Sequence, residues 1–596
     1  TYAPPASSGR DLVLCMDFSG SIGTSVSVGT NPPAPKISYA KEAVDQFIHK
    51  WSEFFKDGDR YGLVRFESTA SDVTPGGGLK PFNAAEAAAA ASALVLGNLT
   101  ALGAGLGISL NMLDLKNPGN ARRRGIILFA DGQCNVNPLV STASSGTETE
   151  YSIKEENPAS GFPAGFGDIR VASSDPPAVP VHTIGIGYNT GWLTTLAHIS
   201  RASGGTDHAS EPAQIWPSLE NDLEDLLTEI YDDTSPKSVY RSNASFPAGE
   251  IERTETFVLE KGTSKALFCL SWPGAGRAQL TLKKDGLSLN KFTRVFHGNR
   301  YSLYVVDFPH FEARPAPVIG FAGFEKIPVL GAGTGKTPPY PSITAPRGLQ
   351  IPSGGFSKFL NTRFDPEGEW TVRISRGQDS AGTAASYNFS FLADDKGIKI
   401  PVSLPRRGVF TGEPFSVDLK GLDRGIPLAS VTEASVKITA PYRAYGNIIA
   451  AYAPQLGLSA PAQGETGPLL RLEDKILGIP EAKALIERKT ITTLAFKPVF
   501  KLLKGKPVMA PGRFTLTLPD PRVPGVYSLD ISVKGLSPVS GPFQRRISRQ
   551  VLVLPKISPS ASLVKVSRDS RTGDILLSAT HKDISGLKTG LIGRRS

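Results

Sequence analysis

Three oxygen-bearing side chains lie at alternate positions near the start of the chain: Asp17, Ser19 and Ser21, in the sequence DFSGSIG. Carboxylate and hydroxyl oxygens are the ligands that Mg²⁺, Mn²⁺ and Ca²⁺ prefer, whereas zinc sites use mainly nitrogen and sulfur. The same pattern is also typical of a helix N-cap, in which the side chain accepts a backbone N–H group. The spacing alone therefore leaves a divalent-metal site and a helix cap as alternatives.

The residues before Asp17 predict the element that positions it. Leu12 to Met16 form a continuous apolar run, which is typical of a strand buried on both faces of a parallel sheet. A second such run, GIILFA, ends at Asp131, and Thr100 stands where a polar loop enters a helix of small residues. Open α/β sheets bind ligands at the carboxyl ends of their strands. We therefore expect Thr100 and Asp131 to join the first loop at that edge.

This pattern resembles the metal-ion-dependent adhesion site of von Willebrand factor A domains, because DFSGS, the later Thr and the strand-ending Asp occur in order. The resemblance covers roughly residues 9–235 and implies a Rossmann-like α/β domain, a parallel sheet flanked by helices. It also implies a metal site formed by Asp17, Ser19, Ser21, Thr100 and Asp131. In that family Asp131 commonly contacts the metal through water, and the other four residues contact it directly or through water. Small, hydroxyl-rich sites that retain waters suit Mg²⁺, so Mg²⁺ is the predicted cofactor, with Mn²⁺ or Ca²⁺ as alternatives.

A chain of 596 residues is too long for a single hydrophobic core, so we predict a multidomain protein. The α/β domain is predicted over residues 1–235 and an all-β sandwich domain over 236–395, where strand-like segments such as SKALFCLSW alternate with Gly and Pro turns. An immunoglobulin-like β domain is predicted over 396–555, with a partly helical insertion near 446–506. The tail, 556–596, has strand character and is expected to pair with a neighbouring sheet or another subunit.

Apolar residues at helical spacing predict five helices in residues 1–235. Their sequences are ISYAKEAVDQFIHKWSEFF, AAEAAAAASALVLGNL, the stretch after Thr100, WLTTLAHISRASGG and QIWPSLENDLEDLLTEIYDD. The resemblance implies that the last helix can shift when the metal takes a ligand carboxylate. Because this helix leads directly into the next domain, such a shift would act as a relay.

Two segments are longer than a minimal domain of this kind requires. Thr24 to Lys36 follows the DFSGS loop and is expected to lie beside the metal, and Asn135 to Pro180 emerges beyond Asp131. Loops on a rigid scaffold often determine specificity, and an inert surface insertion is the alternative for the second segment.

Charge is divided unevenly along the chain, whose overall net charge is +10. Residues 1–235 contain 15 Lys and Arg against 27 Asp and Glu, a net charge of −12, and the remainder carries +22. We expect attraction between the two parts to help docking within the chain or between copies. The basic residues are scattered over strand-like segments without a basic helix, so we predict no nucleic-acid partner.

The chain has three cysteines, which argues against a small disulfide-rich secreted module. The strand order of the resembled family would place the strands of Cys15 and Cys134 side by side, which allows a disulfide. Buried free thiols are the favoured alternative.

Motifs for catalysis are missing from the sequence, and we predict a protein that is not an enzyme. GAGTGKT at 331–337 resembles a phosphate-binding loop, but it lacks the first Gly, and Pro338 and Pro339 follow where a helix should begin. Neither H-E-x-x-H nor G-x-S-x-G occurs. Apolar runs of 18 or more residues are also missing, so we predict no transmembrane segment.

The main functional hypothesis is a metal-dependent protein-binding or adhesion module, carried on a stalk of β domains at a bacterial-type cell surface or extracellular appendage. Its partner would be a protein that offers an acidic group to the metal. The alternative is a structural subunit of a larger assembly, with contacts made by the basic β domains, and a hydrolase site in the β region is a third hypothesis. Since the chain begins at Thr1 rather than Met, we expect it to be processed or trimmed, and a targeting segment is either missing from it or was never there.

Overall fold

The computed structural model describes part of the chain. The described residues are 9–26, 28, 34–55, 58–115, 122–131, 134, 136, 138–145, 148–154, 167–174, 179–187, 190–210, 215–231, 237–260, 263–274, 278–284, 287–289, 293–308, 367–377, 385–394, 397–405, 409–428, 430–456, 475–503, 506–568, 575–583 and 588–595. Within them the predicted fold class is confirmed, because a parallel α/β sheet is followed by a series of antiparallel sheets.

Within its described residues, the α/β part has twelve strands and five α-helices. The strands are β1 (Arg10–Asp17), β2 (Ser25–Val26), β3 (Ala34–Pro35), β4 (Arg60–Phe66), β5 (Ala70–Asp72), β6 (Lys80–Pro81), β7 (Arg123–Ala130), β8 (Val140–Ser145), β9 (Glu148–Ile153), β10 (Ile169–Ala172), β11 (Val181–Ile186) and β12 (Asp207–Ser210). The helices are α1 (Lys36–Phe54), α2 (Ala84–Ala93), α3 (Leu102–Met112), α4 (Thr190–Ser203) and α5 (Ile215–Ile230).

The main sheet has the order β12-β11-β7-β1-β4-β5, with β6 also paired to β4. The strands from β12 to β4 are parallel, and β1 lies between β7 and β4 with every residue buried. Leu12, Leu14 and Met16 face the core formed with α1 and α5, whereas Val13 and Cys15 face the core formed with α3 and α4. Both faces of β1 are covered, which explains its continuous apolar sequence.

Tertiary contacts override two of the local predictions. The Ala-rich helix was expected to continue to Leu99, but α2 ends at Ala93, and the backbone N–H of Gly97 donates instead to the carbonyl of Phe18, 2.7 Å away. The long segment between Asn135 and Pro180 forms a small antiparallel sheet, β10-β9-β8, that the sequence did not predict. Strand β12 was also missed.

The next part of the chain is a pair of packed sheets. Its strands are β13 (Lys237–Phe246), β14 (Glu252–Leu259), β15 (Lys265–Ser271), β16 (Ala278–Lys284), β17 (Leu287–Ser288), β18 (Arg294–His297), β19 (Tyr301–Asp307), β20 (Gly368–Arg376) and β21 (Ala385–Ala393). Sheet β13-β21-β15-β19-β18 packs on sheet β14-β20-β16-β17. Aromatic side chains fill the space between them, including Phe257, Phe268, Trp370 and Phe391.

The described residues between 398 and 554 form a second β-rich part. Its strands are β22 (Ile398–Lys399), β23 (Val402–Ser403), β24 (Val409–Phe410), β25 (Phe415–Lys420), β26 (Leu422–Asp423), β27 (Ile426–Pro427), β28 (Ser430–Pro441), β29 (Lys489–Ala495), β30 (Lys497–Leu503), β31 (Lys506–Leu518), β32 (Gly525–Ser537) and β33 (Gly541–Leu554). The sheets are β22-β26-β27, β23-β25-β31-β30 and β24-β33-β32-β28-β29. The described residues between β28 and β29 include two helices, α6 (Tyr445–Leu456) and α7 (Pro480–Glu487).

The tail forms a sheet of its own. Strands β34 (Ile557–Arg568), β35 (Ile575–Asp583) and β36 (Lys588–Arg595) pair with one another as an antiparallel sheet. The last of these strands was not predicted.

The first β part packs directly on the α/β part. Leu267, Leu303 and Leu392 from the five-stranded sheet join the core that also contains α1 and α5. Acidic residues of the α/β part face basic residues of the β parts, and Glu53 pairs with both Lys265 and Arg294. The expected attraction between the acidic and basic parts therefore operates within the chain.

Other expectations concern single features. Cys15, Cys134 and Cys269 are free thiols, so the Cys15–Cys134 disulfide that the family's strand order allowed is not formed. The described residues contain no helix that is long and apolar enough to cross a membrane. The GAGTGKT segment lies outside the described residues.

Candidate metal centre

Two loops meet at the carboxyl end of β1. The first leaves the sheet after Asp17, and the second leads from α2 to α3 and carries Thr100. The backbone N–H of Gly20 donates to the carbonyl of Asn98 at 3.2 Å. A Cβ atom on Gly20 would also lie 3.2 Å from that oxygen, so glycine permits the close approach. Thr100 is buried on the second loop, so these contacts hold it beside the first.

The structure brings four of the predicted ligands into one hydrogen-bonded cluster. Ser19 Oγ lies 2.8 Å from Ser21 Oγ, and Ser21 Oγ donates to Asp131 Oδ1 at 2.5 Å. Asp17 Oδ1 accepts the backbone N–H of Ser19 at 2.8 Å, and Asp17 Oδ2 accepts the backbone N–H of Asp131 at 3.4 Å. All four residues are buried. The cluster joins the ends of β1 and β7, which are neighbours in the sheet.

The helix-cap alternative fails for Ser19. A short 3₁₀ helix, Gly20–Gly23, follows Ser19, which occupies its N-cap position. Among the described residues, however, the Ser19 side chain makes no capping hydrogen bond, and its hydroxyl faces Ser21 instead. The hydroxyls therefore point into the cluster rather than toward the helix backbone.

A lysine that the sequence analysis did not select lies in the same cluster. Lys36 is the first residue of α1, and its Nζ is 3.0 Å from Asp131 Oδ2. Its side chain is only 5% exposed, and that of Asp131 is fully buried. Cations are disfavoured in the first turn of a helix, so a lysine at this position is the sequence feature that could have indicated a special role for Lys36. Lys36 also ends the Thr24 to Lys36 segment, which was expected to lie beside the metal.

Electrostatics in the cluster favour a cation. Burial, together with the nearby charge of Asp131, raises the pKa of Asp17 to about 7, although hydrogen bonds from Ser19 and Asp131 act in the opposite direction. Two carboxylates in one buried site resist joint ionisation unless a positive charge lies between or beside them. The donor set of carboxylate and hydroxyl oxygens suits a hard divalent cation. The residues present therefore fit the predicted metal.

Within the described part of the chain, no group of three or more His, Cys, Asp and Glu side chains is placed to hold a metal. The cluster at the end of β1 has only two carboxylates and relies on neutral hydroxyls for the remaining ligands. A bound cation with so few anionic ligands would stay electrophilic, and it would therefore attract an additional acidic ligand.

Helix α5, the predicted relay, is fixed by buried charges. Glu224 pairs with Lys50 of α1 at 2.6 Å and with Arg241 of β13 at 2.9 Å. The next residue, Asp225, pairs with Arg241 at 3.1 Å and with Arg549 of β33 at 3.3 Å. The helix is thus connected to both β parts as well as to α1.

Comparison with known families identifies the N-terminal region. The family model described as the von Willebrand factor type A domain matches residues 12–133, which include all five predicted ligands. No curated protein matches the sequence.

Solved structures that match the chain share little sequence with it. A von Willebrand factor type A protein from Catenulispora acidiphila is 15% identical with a TM-score of 0.26, covering 70% of this chain and 63% of its own. Proximal thread matrix protein 1 from the mussel byssus, with a zinc-occupied MIDAS motif, is 18% identical (TM-score 0.23, 37% of this chain and 46% of its own). The von Willebrand factor domain of the type V pili tip protein Mfa5 from Porphyromonas gingivalis is 16% identical (TM-score 0.25, 38% and 97%).

The chain thus spans less than two thirds of the length of the first and second of these structures. The family match coincides with the strands that carry the oxygen cluster, β1 and β7. Residues 12–133 of this chain therefore belong to a von Willebrand factor type A domain.

Proposed function

We propose that the N-terminal domain binds a divalent cation, Mg²⁺ in the first instance, and uses it to hold an acidic group of a protein partner. The ligands would be Asp17, Ser19, Ser21, Thr100 and Asp131. The single observation that carries this proposal is the buried cluster of Asp17, Ser19, Ser21 and Asp131 at the carboxyl edge of the sheet. The cation would supply a Lewis-acidic position for the partner's carboxylate, and the chain's own residues would hold and orient the cation.

On this proposal the protein is a non-enzymatic adhesion or protein-binding module at a cell surface or on an extracellular appendage. The remaining parts would present the binding domain, and the domain boundaries at 235/236, 395/396 and 555/556 stay predictions. The direct packing of the five-stranded β sheet on α1 and α5 supports a rigid presentation rather than a freely jointed one.

Metal titration of the full chain tests this proposal. The metal-stripped protein is titrated with Mg²⁺, Mn²⁺ and Ca²⁺ by isothermal calorimetry, beside Asp17→Asn and the control Asp530→Asn, which changes a carboxylate on β32. We expect saturable binding that Asp17→Asn abolishes and Asp530→Asn preserves. Equal binding by wild type and Asp17→Asn would contradict the proposed site.

The acidic partner is tested separately, with an array of Asp- and Glu-containing peptides and their amide counterparts. We expect the chain to retain acidic peptides in Mg²⁺, and to lose them in EDTA or after Asp17→Asn. Retention that is independent of metal would refute the role of the cation in partner binding.

A second function, structural subunit of a larger assembly, is favoured by one observation. Strands β29, β30 and β31 carry large apolar side chains that are exposed: Ile491 (59%), Phe500 (60%), Val508 (46%) and Met509 (45%). Together with the basic charge of this part of the chain, they would form contacts between subunits. Light scattering over a range of salt and metal concentrations tests it, and a monodisperse monomer throughout would contradict it.

A further inference from the structure

Lys36 places its side-chain amine directly beside a predicted metal ligand, Asp131. Its Nζ lies 3.0 Å from Asp131 Oδ2, and Ser21 Oγ donates to Asp131 Oδ1. Both carboxylate oxygens of Asp131 are therefore engaged by groups of the chain itself. An ammonium with a 5% exposed side chain has lost most of its hydration, so its attraction to the carboxylate must replace that loss.

A divalent cation at the same carboxylates would lie within a few ångströms of this ammonium. Like charges at that distance repel strongly in a buried, weakly screened site. The ammonium would also compete for the lone pairs of Asp131 with the cation, or with the water that joins the cation to Asp131. The two positive charges therefore cannot both occupy their best positions.

We infer that Lys36 is a built-in competitor of the divalent cation, so that cation binding displaces its ammonium from Asp131 and Lys36 thereby sets the metal affinity of the site. This inference rests on the proposed metal site and adds a specificity-determining residue to it. A lysine on a flexible four-carbon stem can leave the carboxylate without any change in the sheet.

The backbone of Lys36 is held by the segment before α1. The backbone N–H of Lys36 donates to the carbonyl of Thr24 at 2.9 Å, and Thr24 Oγ1 donates to the carbonyl of Ser21 at 2.8 Å. Strands β2 and β3 pair within the same segment, Ser25 with Pro35. These contacts fix the backbone at the start of α1 beside the loop that borders the site, so only the side chain of Lys36 has to move.

Amine labelling of the wild-type chain tests the displacement directly. The full chain is treated with formaldehyde and dimethylamine-borane, with Mg²⁺ or with EDTA, and dimethylation of each lysine is followed by peptide mass spectrometry. We expect Lys36 to be protected in EDTA and labelled at least about tenfold faster in saturating Mg²⁺, because loss of a charge-assisted hydrogen bond exposes the amine. Lys80 is the internal control. It lies in β6, opposite Tyr61 in the strand register, at the amino end of β4 and so at the end of the sheet away from the cluster.

Calorimetric titration of Lys36→Met tests the effect on affinity. This variant keeps an unbranched side chain, one heavy atom shorter, and removes the charge. Lys80→Met makes the same change at the opposite end of the sheet. We expect Lys36→Met to bind Mg²⁺ about tenfold or more tightly than wild type, and Lys80→Met to bind like wild type. If Lys36→Met does not fold, as judged by circular dichroism, the labelling of the wild-type chain decides.

The outcomes separate this inference from the proposed function. The competition is overturned, and the metal site is left intact, by one combination of results. In it, wild type binds Mg²⁺, Mg²⁺ does not change the labelling of Lys36, and Lys36→Met binds Mg²⁺ with the affinity of wild type. Binding only by Lys36→Met supports the competition and overturns metal-dependent function in the natural chain. Absence of binding by both proteins overturns both.

Discussion

Lys50 of α1 and Glu224 of α5 form a buried ion pair, with Nζ and Oε2 2.6 Å apart and both side chains at most 2% exposed. The same carboxylate accepts a hydrogen bond from Ser390 of β21 at 2.6 Å, and its other oxygen pairs with Arg241 of β13. The helix that the family resemblance presents as mobile is therefore bound to the β part by several charge-assisted hydrogen bonds. A relay through this helix, as proposed from the resemblance, would have to break or carry these contacts.

Replacement of Glu224 by Gln should strongly destabilise the chain. The variant leaves Lys50 and Arg241 with one carboxylate fewer in a buried site, and removal of one partner of a buried pair costs about 3–5 kcal/mol. Urea unfolding followed by circular dichroism measures the change. Glu150→Gln is the control, because Glu150 pairs with Arg170, whose side chain is 74% exposed, and such pairs contribute about 1 kcal/mol or less. Equal stabilities for the two variants would contradict the prediction.

The same carboxylate predicts acid sensitivity. Burial raises the pKa of Glu224, but Lys50 and Arg241 outweigh it and lower the pKa from its ordinary 4.5 to about 2. A depressed acid pKa stabilises the folded state above the unfolded-state value, and this contribution is lost as the pH falls from about 4.5 to about 2. We expect the wild-type urea midpoint to fall more steeply over that range than the midpoint of Glu224→Gln. Parallel pH profiles would show that the ion pair does not stabilise the fold.

His182 predicts a separate loss of stability on acidification, in a higher pH range than that of Glu224. Burial, with a contribution from His208, lowers its pKa from 6.5 to about 4, against an opposing effect of Glu229. Between these pH values the unfolded chain binds a proton that the folded chain does not, so stability falls by up to about 3 kcal/mol as the pH drops. Comparison of wild type with His182→Gln at pH 7.5 and pH 5 should show a smaller loss in the variant. An equal loss of stability in wild type and variant would show that a group other than His182 causes the pH dependence.

Arg545 of β33 and Glu260, just after β14, connect the two β parts. The pair is bidentate, with Nη2 2.7 Å from Oε2, and both side chains are at most 3% exposed. Arg545→Met should destabilise the chain by about 3–5 kcal/mol because Glu260 is left buried without its cation. Adding Glu260→Met should recover most of that loss, since apolar replacement of a whole buried pair is often neutral. A double-mutant cycle by urea unfolding measures this, and additive losses would contradict it.

Thr100→Val tests the ligand that stands on the second loop. Valine keeps the shape of the buried side chain and removes the hydroxyl, so we expect Mg²⁺ affinity to fall about tenfold to hundredfold with the fold retained. Thr74→Val is the control, because the Thr74 hydroxyl is also buried but accepts the backbone N–H of Leu63 at 2.8 Å, far from the cluster. The control should lose stability and keep its metal affinity. Unchanged affinity in Thr100→Val would exclude Thr100 from the site.

Local sequence determined most of the α/β part. The apolar run before Asp17 predicted β1, and the apolar stripe of the first helix predicted α1, each within a residue or two of the observed bounds. A strand buried on both faces gives a continuous apolar run, whereas a helix buried on one face gives apolar residues at helical spacing. The pattern of Asp17, Ser19, Ser21 and Asp131 likewise predicted a cluster, because carboxyl ends of neighbouring parallel strands share one edge. The β region was identified from strand-like segments that alternate with Gly and Pro turns.

Only the tertiary structure decided the remaining features. The end of α2 at Ala93 follows from backbone hydrogen bonds to the first loop, and the sheet within residues 140–172 depends on pairing between distant segments. The contact of Lys36 with Asp131 joins residues 95 positions apart. The ion pairs that hold α5 join partners up to 324 positions apart, from Asp225 to Arg549. Local periodicity carries no information about such partners, because they are chosen by how the sheets and helices pack.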